Sequence, residues 1–406
     1  MSVDFSLFNL LLIIVVGFVG GTLSSQMGYP PVLGELTVGM ILGPPLLGLV
    51  HTDDGVQVLG QMGIIFLMVF AGSRMDLSPL VTNARQGLLV TLCGFLLPLG
   101  FGYAAIRLFG GDNAAGLLVG TIIGTTALAS VARITIDFHL LDNRIGQVLM
   151  SVAFFSVAAV LVSFAIVSST INQGFSPFSI MVVLVRAVLF LALAAILGQL
   201  VFPQIYQLLH RLGVSARTDI YTVVLLKAIA FAWLAQVLGL HIILGAFMAG
   251  MFLRVDLFRP GLHNELFAGI RDTALGLLAP IFFVSSGFSV SFSIFTSNIA
   301  LLVAIVSVAI VGKVLGGWVA FVISRHDWRE GLVVGLGMNG RGGVDVVMAG
   351  VSFHQLHAIS QDMFTALIFT ALTTTLIVPP TLKIGLAWLN AMDTRQSAAE
   401  VTETTA

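Results

Sequence analysis

The chain has 406 residues, of which 58% are hydrophobic and only 9% are charged, and its mean hydropathy is +1.06. Apolar runs of about 20 residues recur from end to end, which is the length that a helix needs to span the hydrocarbon layer of a bilayer. The composition therefore predicts an all-α polytopic protein embedded in lipid rather than a soluble domain. The formal net charge of −1 argues against a nucleic-acid partner.

The hydrophobic runs predict about thirteen transmembrane helices in a single membrane domain over residues 1–392. We expect the spans to begin near Phe8, Pro31, Val58, Leu88, Ala114, Ile145, Ile180, Asp219, Leu240, Leu266, Ser293, Gly331 and Met363. The polar segment 393–406 is predicted to be a short cytoplasmic tail without fixed structure.

The arginines of the connecting loops predict the orientation in the membrane. With the N-terminus outside, the cytoplasmic loops hold Arg74, Arg85, Arg133, Arg144, Arg211, Arg217, Arg254, Arg259, Arg325 and Arg329. The outer loops hold Arg107 and the acidic pair Asp53 and Asp54. Because positive loop residues stay in the cytoplasm, we expect the N-terminus outside and the C-terminus inside.

Two short motifs recur along the chain at a similar offset. Residues 34–40 (GELTVGM) resemble residues 245–251 (GAFMAGM), and residues 65–72 (IFLMVFAG) resemble residues 281–287 (IFFVSSG). Each pair lies seven predicted spans apart, so the two copies would cross the bilayer in opposite directions. Inverted repeats of this kind, here joined by the seventh span, are typical of secondary transporters. Helix packing alone can also select such spacings of small residues.

The fifth and twelfth spans, which correspond under this offset, are the richest in glycine and polar residues. They contain residues 120–133 (GTIIGTTALASVAR) and residues 335–345 (GLGMNGRGGVD). Glycine is unfavourable inside a helix, whereas unwound backbone is tolerated in a membrane where it lines a cavity. We therefore predict two discontinuous helices that cross near Thr126 and Gly340. The alternative is that the glycines only permit close helix packing.

Five motifs together carry a family resemblance. They are residues 30–35 (PPVLGE), 239–250 (GLHIILGAFMAG), 280–287 (PIFFVSSG), 312–313 (GK) and 338–345 (MNGRGGVD). The chain resembles the monovalent cation:proton antiporter-2 family, which includes the Kef-type and bacterial Na⁺/H⁺ antiporters, over about residues 5–390. The resemblance implies the Na⁺/H⁺ antiporter fold, a core domain that moves against a dimerisation domain, a homodimer, and the inner or plasma membrane of a prokaryote.

Three positions depart from the family pattern. The paired acidic motif of the sixth span falls on Ser156 and Val157, so the carboxylate for which cation and proton compete is missing. An acidic position before the Gly-Leu-His stretch is Gln236, and Asp345 stands where glutamate is commoner. The resemblance pairs Lys313 with the missing aspartate, which leaves this intramembrane lysine in need of another partner.

Charged and polar groups inside the membrane are the candidate site residues, because such groups are costly there. The candidate ligands of a substrate or ion are Thr125, Thr126, Ser130, Ser156, Lys313 and Asp345. Lys313 either binds substrate or proton, or only holds the core together through Asp345 or unwound carbonyl groups. Asp345 is either the surviving proton carrier or the partner of Arg341 in an ion pair four residues away.

Other charged residues have structural interpretations. We expect Glu35 to join Arg341 in a charge network or to cap a helix. Lys227 and Arg186 are long enough to reach the membrane interface or to pair with Asp219 and similar groups at the edge of the membrane.

No sequence motif indicates an enzyme, a metal site or a cofactor. The expected function is a secondary transporter that exchanges a monovalent cation for protons, with the proton carried by Asp345. One alternative is transport of an anion or small organic acid through Lys313. The other is a sensor or partner subunit that does not transport.

Overall fold

A computed structural model describes residues 6–51, 53–74, 80–140, 143–171, 177–211, 217–253 and 260–404. Within these residues the regular structure is helical and contains no β-strand. The prediction of an all-α protein is confirmed. The predicted cytoplasmic loop residues Arg254 and Arg259 lie outside the described residues.

The chain divides into two compact units whose segments alternate along the sequence. The first unit consists of residues 1–77, 161–292 and 354–361, and the second consists of residues 78–160, 293–353 and 362–406. The membrane domain predicted from the sequence is therefore built as two interleaved units.

Ten helices or parts of helices of the described chain belong to the first unit. They are α1 (Leu7–Gln26), α2 (Pro31–Leu42), α3 (Asp54–Ser73), the end of α7 (Arg144–Thr170), α8 (Pro177–Ile196), α9 (Phe202–Arg211), α10 (Arg217–Val237), α11 (Ile242–Met251), α12 (Pro260–Thr273) and α13 (Ala279–Gly287). Two π-helical turns, Leu197–Val201 and Ala274–Leu278, join α8 to α9 and α12 to α13.

The second unit holds the remaining helices. They are α4 (Leu80–Leu108), α5 (Asn113–Ile123), α6 (Leu128–Asp137), the first part of α7, α14 (Ile294–Ser297), α15 (Ile299–Ile323), α16 (Trp328–Gly337), α17 (Gly343–Gly350) and α18 (Gln361–Thr404). A π-helical turn, Val351–Gln355, follows α17.

Helix packing within each unit follows the seven-span offset. Under this offset α1, α2 and α3 of the first unit correspond to α10, α11 and α13. The contact of α1 with α2 is matched by that of α10 with α11, and the contact of α2 with α13 is matched by that of α11 with α3. In the second unit α4 packs on α5 as α15 packs on α16, and α4 packs directly on its counterpart α15. Each contact therefore has an equivalent in the other half of the chain, as expected of the predicted repeat.

Eight segments of the described chain are helices long and apolar enough to cross a membrane, and four shorter apolar helices accompany them. Their outer faces are apolar: Met181, Val185 and Val188 lie along one side of α8 and are all exposed. Such a stripe is unfavourable in water and compatible with lipid. The protein is therefore a multi-pass membrane protein, and the count of thirteen spans stays a prediction.

In the second unit, side-chain contacts connect loops that are predicted to lie on the same side of the membrane. Arg144 lies 3.5 Å from Glu330 and donates to the Gln86 side chain over 3.4 Å, so three predicted cytoplasmic ends meet. The Asn298 amide donates to Asp362 over 3.0 Å, which joins two predicted outer ends. These contacts agree with the grouping of the loops. Which side faces the cytoplasm stays a prediction.

The prediction of an unstructured tail from residue 393 is wrong for the described backbone. Helix α18 continues to Thr404. The segment contains Ala398, Ala399 and Glu400, which are good helix formers, and a helix that already exists propagates more easily than a new one nucleates. Polarity predicted that the tail is exposed but not that it lacks helical structure.

Candidate functional site

Two helices of the second unit are interrupted where the glycine pattern predicts it. Helix α5 ends at Ile123 and α6 begins at Leu128, while α16 ends at Gly337 and α17 begins at Gly343. Both interrupted helices begin with an aspartate N-cap: the side chain of Asp112 accepts from the Ala115 N–H, and that of Asp327 accepts from the Arg329 N–H. The predicted unwinding of the fifth and twelfth spans is confirmed.

The two unwound segments, residues 124–127 and 338–342, are joined by two hydrogen bonds, and a third comes from Ser130 in the first turn of α6. The Ala127 N–H donates to the Gly340 carbonyl oxygen over 2.9 Å, and the Thr126 hydroxyl donates to the Met338 carbonyl oxygen over 3.2 Å. The Ser130 hydroxyl donates to the Arg341 carbonyl oxygen over 2.6 Å. Backbone groups freed by unwinding are thus paired across the crossing, which is what a low-dielectric environment requires.

Glycine is required where the two segments approach each other most closely. A Cβ atom added to Gly342 would lie 2.9 Å from the Cβ of Ala127, and one added to Gly340 would lie 3.1 Å from the Cβ of Ser130. Larger residues at these two positions would push the segments apart. This close approach also accounts for part of the glycine density seen in the twelfth span.

Ser156 of α7 lies beside the crossing, as predicted. Its side-chain oxygen accepts the Thr126 N–H over 3.0 Å, and its residue is buried. The hydroxyl oxygen therefore holds the unwound segment at the position where the family acid is missing. Serine provides the hydrogen bond but no negative charge for Lys313.

Lys313 of α15 points into the crossing and is completely buried. Its ammonium donates to the Gly124 carbonyl oxygen and, over 2.8 Å, to the Thr126 side-chain oxygen. Gly124 is the C-cap of α5, so the charge lies at the negative end of that helix. The lysine thus takes its oxygen ligands from the unwound chain in place of the missing carboxylate.

Arg341 contacts the carboxyl end of α5 and not Asp345, the partner that the sequence predicted. Its two terminal nitrogens donate to the Ile122 and Ile123 carbonyl oxygens over 2.9 and 2.7 Å. No nitrogen–oxygen distance between Arg341 and Asp345 is within 4.0 Å, so the predicted direct ion pair is wrong. The i,i+4 rule does not apply because α17 begins only at Gly343, after Arg341.

Asp345 lies in the first turn of α17 and is only 3% exposed. One carboxylate oxygen, Oδ2, accepts the Gly342 N–H over 3.2 Å, an arrangement that also suits the positive end of the helix. The Thr125 hydroxyl lies beside the carboxylate, but its proton is directed to the Ile122 carbonyl oxygen 2.8 Å away. The other oxygen, Oδ1, has no hydrogen-bond donor among the described residues.

The second unit therefore brings together all six predicted ligand residues and Arg341. Glu35 is different: it lies in α2 of the first unit, in a notch left by Gly21, whose added Cβ would be 3.0 Å from the Glu35 Oε1 atom. Its predicted charge network with Arg341, which belongs to the second unit, stays a prediction.

Lys227 is a buried charge whose position the sequence did not predict. It is 1% exposed in α10, and its ammonium donates to the Phe252 carbonyl oxygen over 2.6 Å rather than reaching the membrane interface. The rings of Phe202 and Phe231 lie 5.2 and 5.8 Å from the same nitrogen. The signal in the sequence was the position of this lysine in the middle of an apolar helix.

The fold and the crossing can now be compared with known proteins. The model of the family described as "Sodium/hydrogen exchanger, transmembrane" matches residues 10–388. The chain belongs to this family. The resemblance seen in the motifs is thereby confirmed, and the family's helical transporter architecture is the one described above.

Individual relatives cover nearly the whole exchanger domain. The chain is 28% identical over 376 residues to the Na⁺/H⁺-K⁺ antiporter GerN of Bacillus cereus, covering 93% of this chain and 95% of the relative. It is 27% identical over 375 residues to a Na⁺/H⁺ antiporter of Enterococcus hirae, covering 92% and 96%. Both relatives are named as antiporters of small monovalent cations.

A solved structure shows the same fold. The sodium proton antiporter MjNhaP1 from Methanocaldococcus jannaschii, determined at pH 8, aligns with a TM-score of 0.71 and 19% identity. The alignment covers 94% of this chain and 97% of that one. The predicted Na⁺/H⁺ antiporter fold is confirmed.

Proposed function

We propose that this family member is a secondary transporter that exchanges a monovalent cation for a proton. Membership of the exchanger family and the names of its relatives support this function. The site is the crossing of the second unit, where two unwound segments present backbone and hydroxyl oxygens in a buried environment. Unwound helices at such a crossing are typical of ion sites in secondary transporters.

The observation that carries the proposal is the position of the Lys313 ammonium. It occupies two oxygens, the Gly124 carbonyl oxygen and the Thr126 side-chain oxygen, that would equally serve a Na⁺, Li⁺ or K⁺ ion. A second positive charge cannot share these oxygens at close range, since the repulsion is strong away from water. Binding of a cation therefore requires Lys313 to release a proton, and rebinding of that proton expels the cation.

This competition restores one-for-one exchange without the acid of the sixth span. The protonated state holds one positive charge on Lys313, and the cation-bound state holds one positive charge on the cation, with Lys313 neutral. The buried charge of the site is the same in both states. Asp345 and the carboxyl end of α5 balance Lys313 and Arg341 in either case.

Asp345 is a second candidate for the proton carrier, and one observation favours it. Its Oδ1 atom is buried and has no hydrogen-bond donor among the described residues, so a proton could be accepted there without breaking an existing bond. Exchange through Asp345 would leave Lys313 charged throughout the cycle. Variants that keep or remove the charge at Lys313 or at Asp345 can therefore separate the two candidates.

Transport of an anion through Lys313 fits the geometry less well. The groups that surround the ammonium are acceptors, the Gly124 carbonyl oxygen and the Thr126 side-chain oxygen, and Lys313 already donates to both. An anion would have to displace them and would face further carbonyl oxygens of the crossing. The comparisons likewise favour a transporter of cations over an anion carrier or a subunit that does not transport.

The assembly and orientation are part of the same proposal. We infer a homodimer in the inner or plasma membrane of a prokaryote, with the N-terminus outside and the C-terminus inside. The excess of arginine in the loops on one predicted side supports the orientation. Cysteine labelling at Asp53 and at Arg325 should report opposite sides of the membrane, and labelling of both from one side would contradict it.

Flux through proteoliposomes tests the function. Purified protein is reconstituted with an internal pH dye, and Na⁺, Li⁺, K⁺ or the sodium salts of several organic acids are added outside. We expect alkalinisation or acidification that depends on a monovalent cation and reverses with the direction of its gradient. Flux that follows the anion, or no flux with any of these ions, would contradict the proposal.

A further inference from the structure

Arg341 and Asp345 each have a buried polar atom without a partner, and both residues line one small cavity. Arg341 Nε and Asp345 Oδ1 have no hydrogen-bond partner among the described residues, although both side chains are at least 97% buried. The two residues line a cavity of about 10 Å³ together with Ile122, Ile123 and Thr370. Buried polar atoms are nearly always hydrogen-bonded, so this pair requires a partner.

The two charged groups do not touch directly, although both residues line the same cavity. No nitrogen of Arg341 lies within 4.0 Å of an Asp345 oxygen, yet the two charges interact across the gap. A polar pair separated by more than a direct hydrogen bond is commonly connected by water. The cavity volume is about that of the smallest space able to hold one water molecule.

The hydrogen-bonding chemistry of the two atoms determines which kind of molecule fits in the cavity. Arg341 Nε offers an N–H donor, and Asp345 Oδ1 offers an acceptor, so the bridging molecule must both accept and donate a hydrogen bond. A bare cation would be repelled by the N–H group, and an anion would be repelled by the carboxylate. Thr370 offers a further acceptor site, because its own proton is donated to the Ala366 carbonyl oxygen over 2.7 Å.

We propose that one ordered water molecule fills this cavity and bridges Arg341 Nε to Asp345 Oδ1. The ion pair that the sequence predicts then exists through water rather than by direct contact. The bridge also places beside Asp345 Oδ1 a molecule that can give or take a proton. This consequence for proton movement rests on the proposed function, whereas the presence of the water does not.

An experimental structure of the wild-type protein at about 2 Å resolution or better tests the proposal without any transport measurement. The expected result is density for one water molecule at roughly 2.7–3.2 Å from both Arg341 Nε and Asp345 Oδ1. Direct contact between the two side chains would overturn it. So would a Thr125 hydroxyl turned onto Oδ1 with no density in the cavity, or an ion with several oxygen ligands there.

A variant that fills the cavity gives an independent test. Ala371 lines the cavity on α18, and Ala371→Val adds two methyl groups without altering any polar group of the site. The same substitution at Ala366, which is buried on the same helix but does not line the cavity, is the matched control. We expect the water density to disappear in Ala371→Val and to remain in Ala366→Val. Its persistence at the same place in Ala371→Val would contradict the assignment.

Discussion

Lys313 and Lys227 are the two lysines buried in the described chain, one in each unit, and they differ in what surrounds their charge. Each donates to the carbonyl oxygen of the C-cap residue of a short helix, Gly124 after α5 and Phe252 after α11. Around Lys313 lie a hydroxyl oxygen, unwound backbone and the charges of Arg341 and Asp345. Around Lys227 lie aromatic rings.

Burial and a helix C-cap are common to both lysines, and in the described chain only Lys313 of the two lies beside unwound backbone and further charges. Lys227 donates to one carbonyl oxygen and lies against aromatic faces that favour its positive charge. In the proposed mechanism Lys313 shares its oxygen ligands with the transported cation, and those ligands belong to a segment without regular helical hydrogen bonding. We therefore expect substitutions at Lys313 to alter transport and substitutions at Lys227 to alter stability.

Replacing each of the two lysines by arginine should give the largest difference in transport between the two positions. Arginine keeps the positive charge and does not release its proton in proteins. Lys313→Arg should reduce cation-driven proton flux in proteoliposomes to background, while Lys227→Arg should retain about half of the flux or more per folded protein. Size-exclusion profiles of both variants check folding. Normal flux in Lys313→Arg would show that Lys313 is not the proton carrier.

Asp345→Asn tests the counter-charge of the site. The amide keeps the shape of the side chain but removes the negative charge that balances Arg341 and Lys313. If Lys313 carries the proton, we expect flux to fall by about tenfold while remaining coupled, since each 1.4 kcal/mol of lost stabilisation is a factor of ten. Complete loss of coupled flux here, together with normal flux in Lys313→Arg, would assign the proton to Asp345.

Thr126→Val removes an oxygen that Lys313 and the proposed cation share. Hydrogen bonds to charged groups contribute about 1.5–3 kcal/mol, and both the cation and the competing Lys313 ammonium lose this oxygen. The two losses cancel only in part, so the KM for the cation should rise by about threefold rather than by the full energy of the bond. Thr91→Val is the matched control. Thr91 is also buried in the second unit, but its hydroxyl donates only to the Gly87 carbonyl oxygen within α4. An equal change in KM for both variants would show that the effect is not specific to the site.

The smallest effect on transport should come from Lys227→Met. Methionine has a similar length and fills the space between the aromatic rings, but it leaves the Phe252 carbonyl oxygen without its donor. A buried acceptor without a partner costs about 1–3 kcal/mol, so the thermal midpoint should fall by several degrees. The KM for the cation should stay within about twofold of wild type. A large change in KM with an unchanged thermal midpoint would break the distinction between the two lysines.

Several features of the site follow directly from the sequence. Glycine density predicted the interruptions near Thr126 and Gly340, and the resemblance predicted Lys313 beside them. These features were predictable because unwinding is a local property of the chain and because the family motifs surround the crossing.

The partners of the buried charges were not predictable in the same way. The pairing of Arg341 with Asp345 assumed a continuous helix, but α17 begins after Arg341, and the guanidinium instead caps α5. Lys227 was expected to reach the interface or to pair with an edge group such as Asp219, because hydropathy does not show which face of a helix packs inward. Such contacts join residues that are far apart in the sequence, so no local sequence pattern predicts them.

Proton release during cation binding tests the central claim most directly. Purified protein in weakly buffered detergent solution is mixed with saturating Na⁺, Li⁺ or K⁺, and the protons released are counted with a pH dye. We predict about one proton released per cation bound by the wild type, and none by Lys313→Arg, whose oxygens stay occupied by a permanent charge. Cation binding by the wild type without proton release, or the same release from Lys313→Arg, would contradict competition at Lys313.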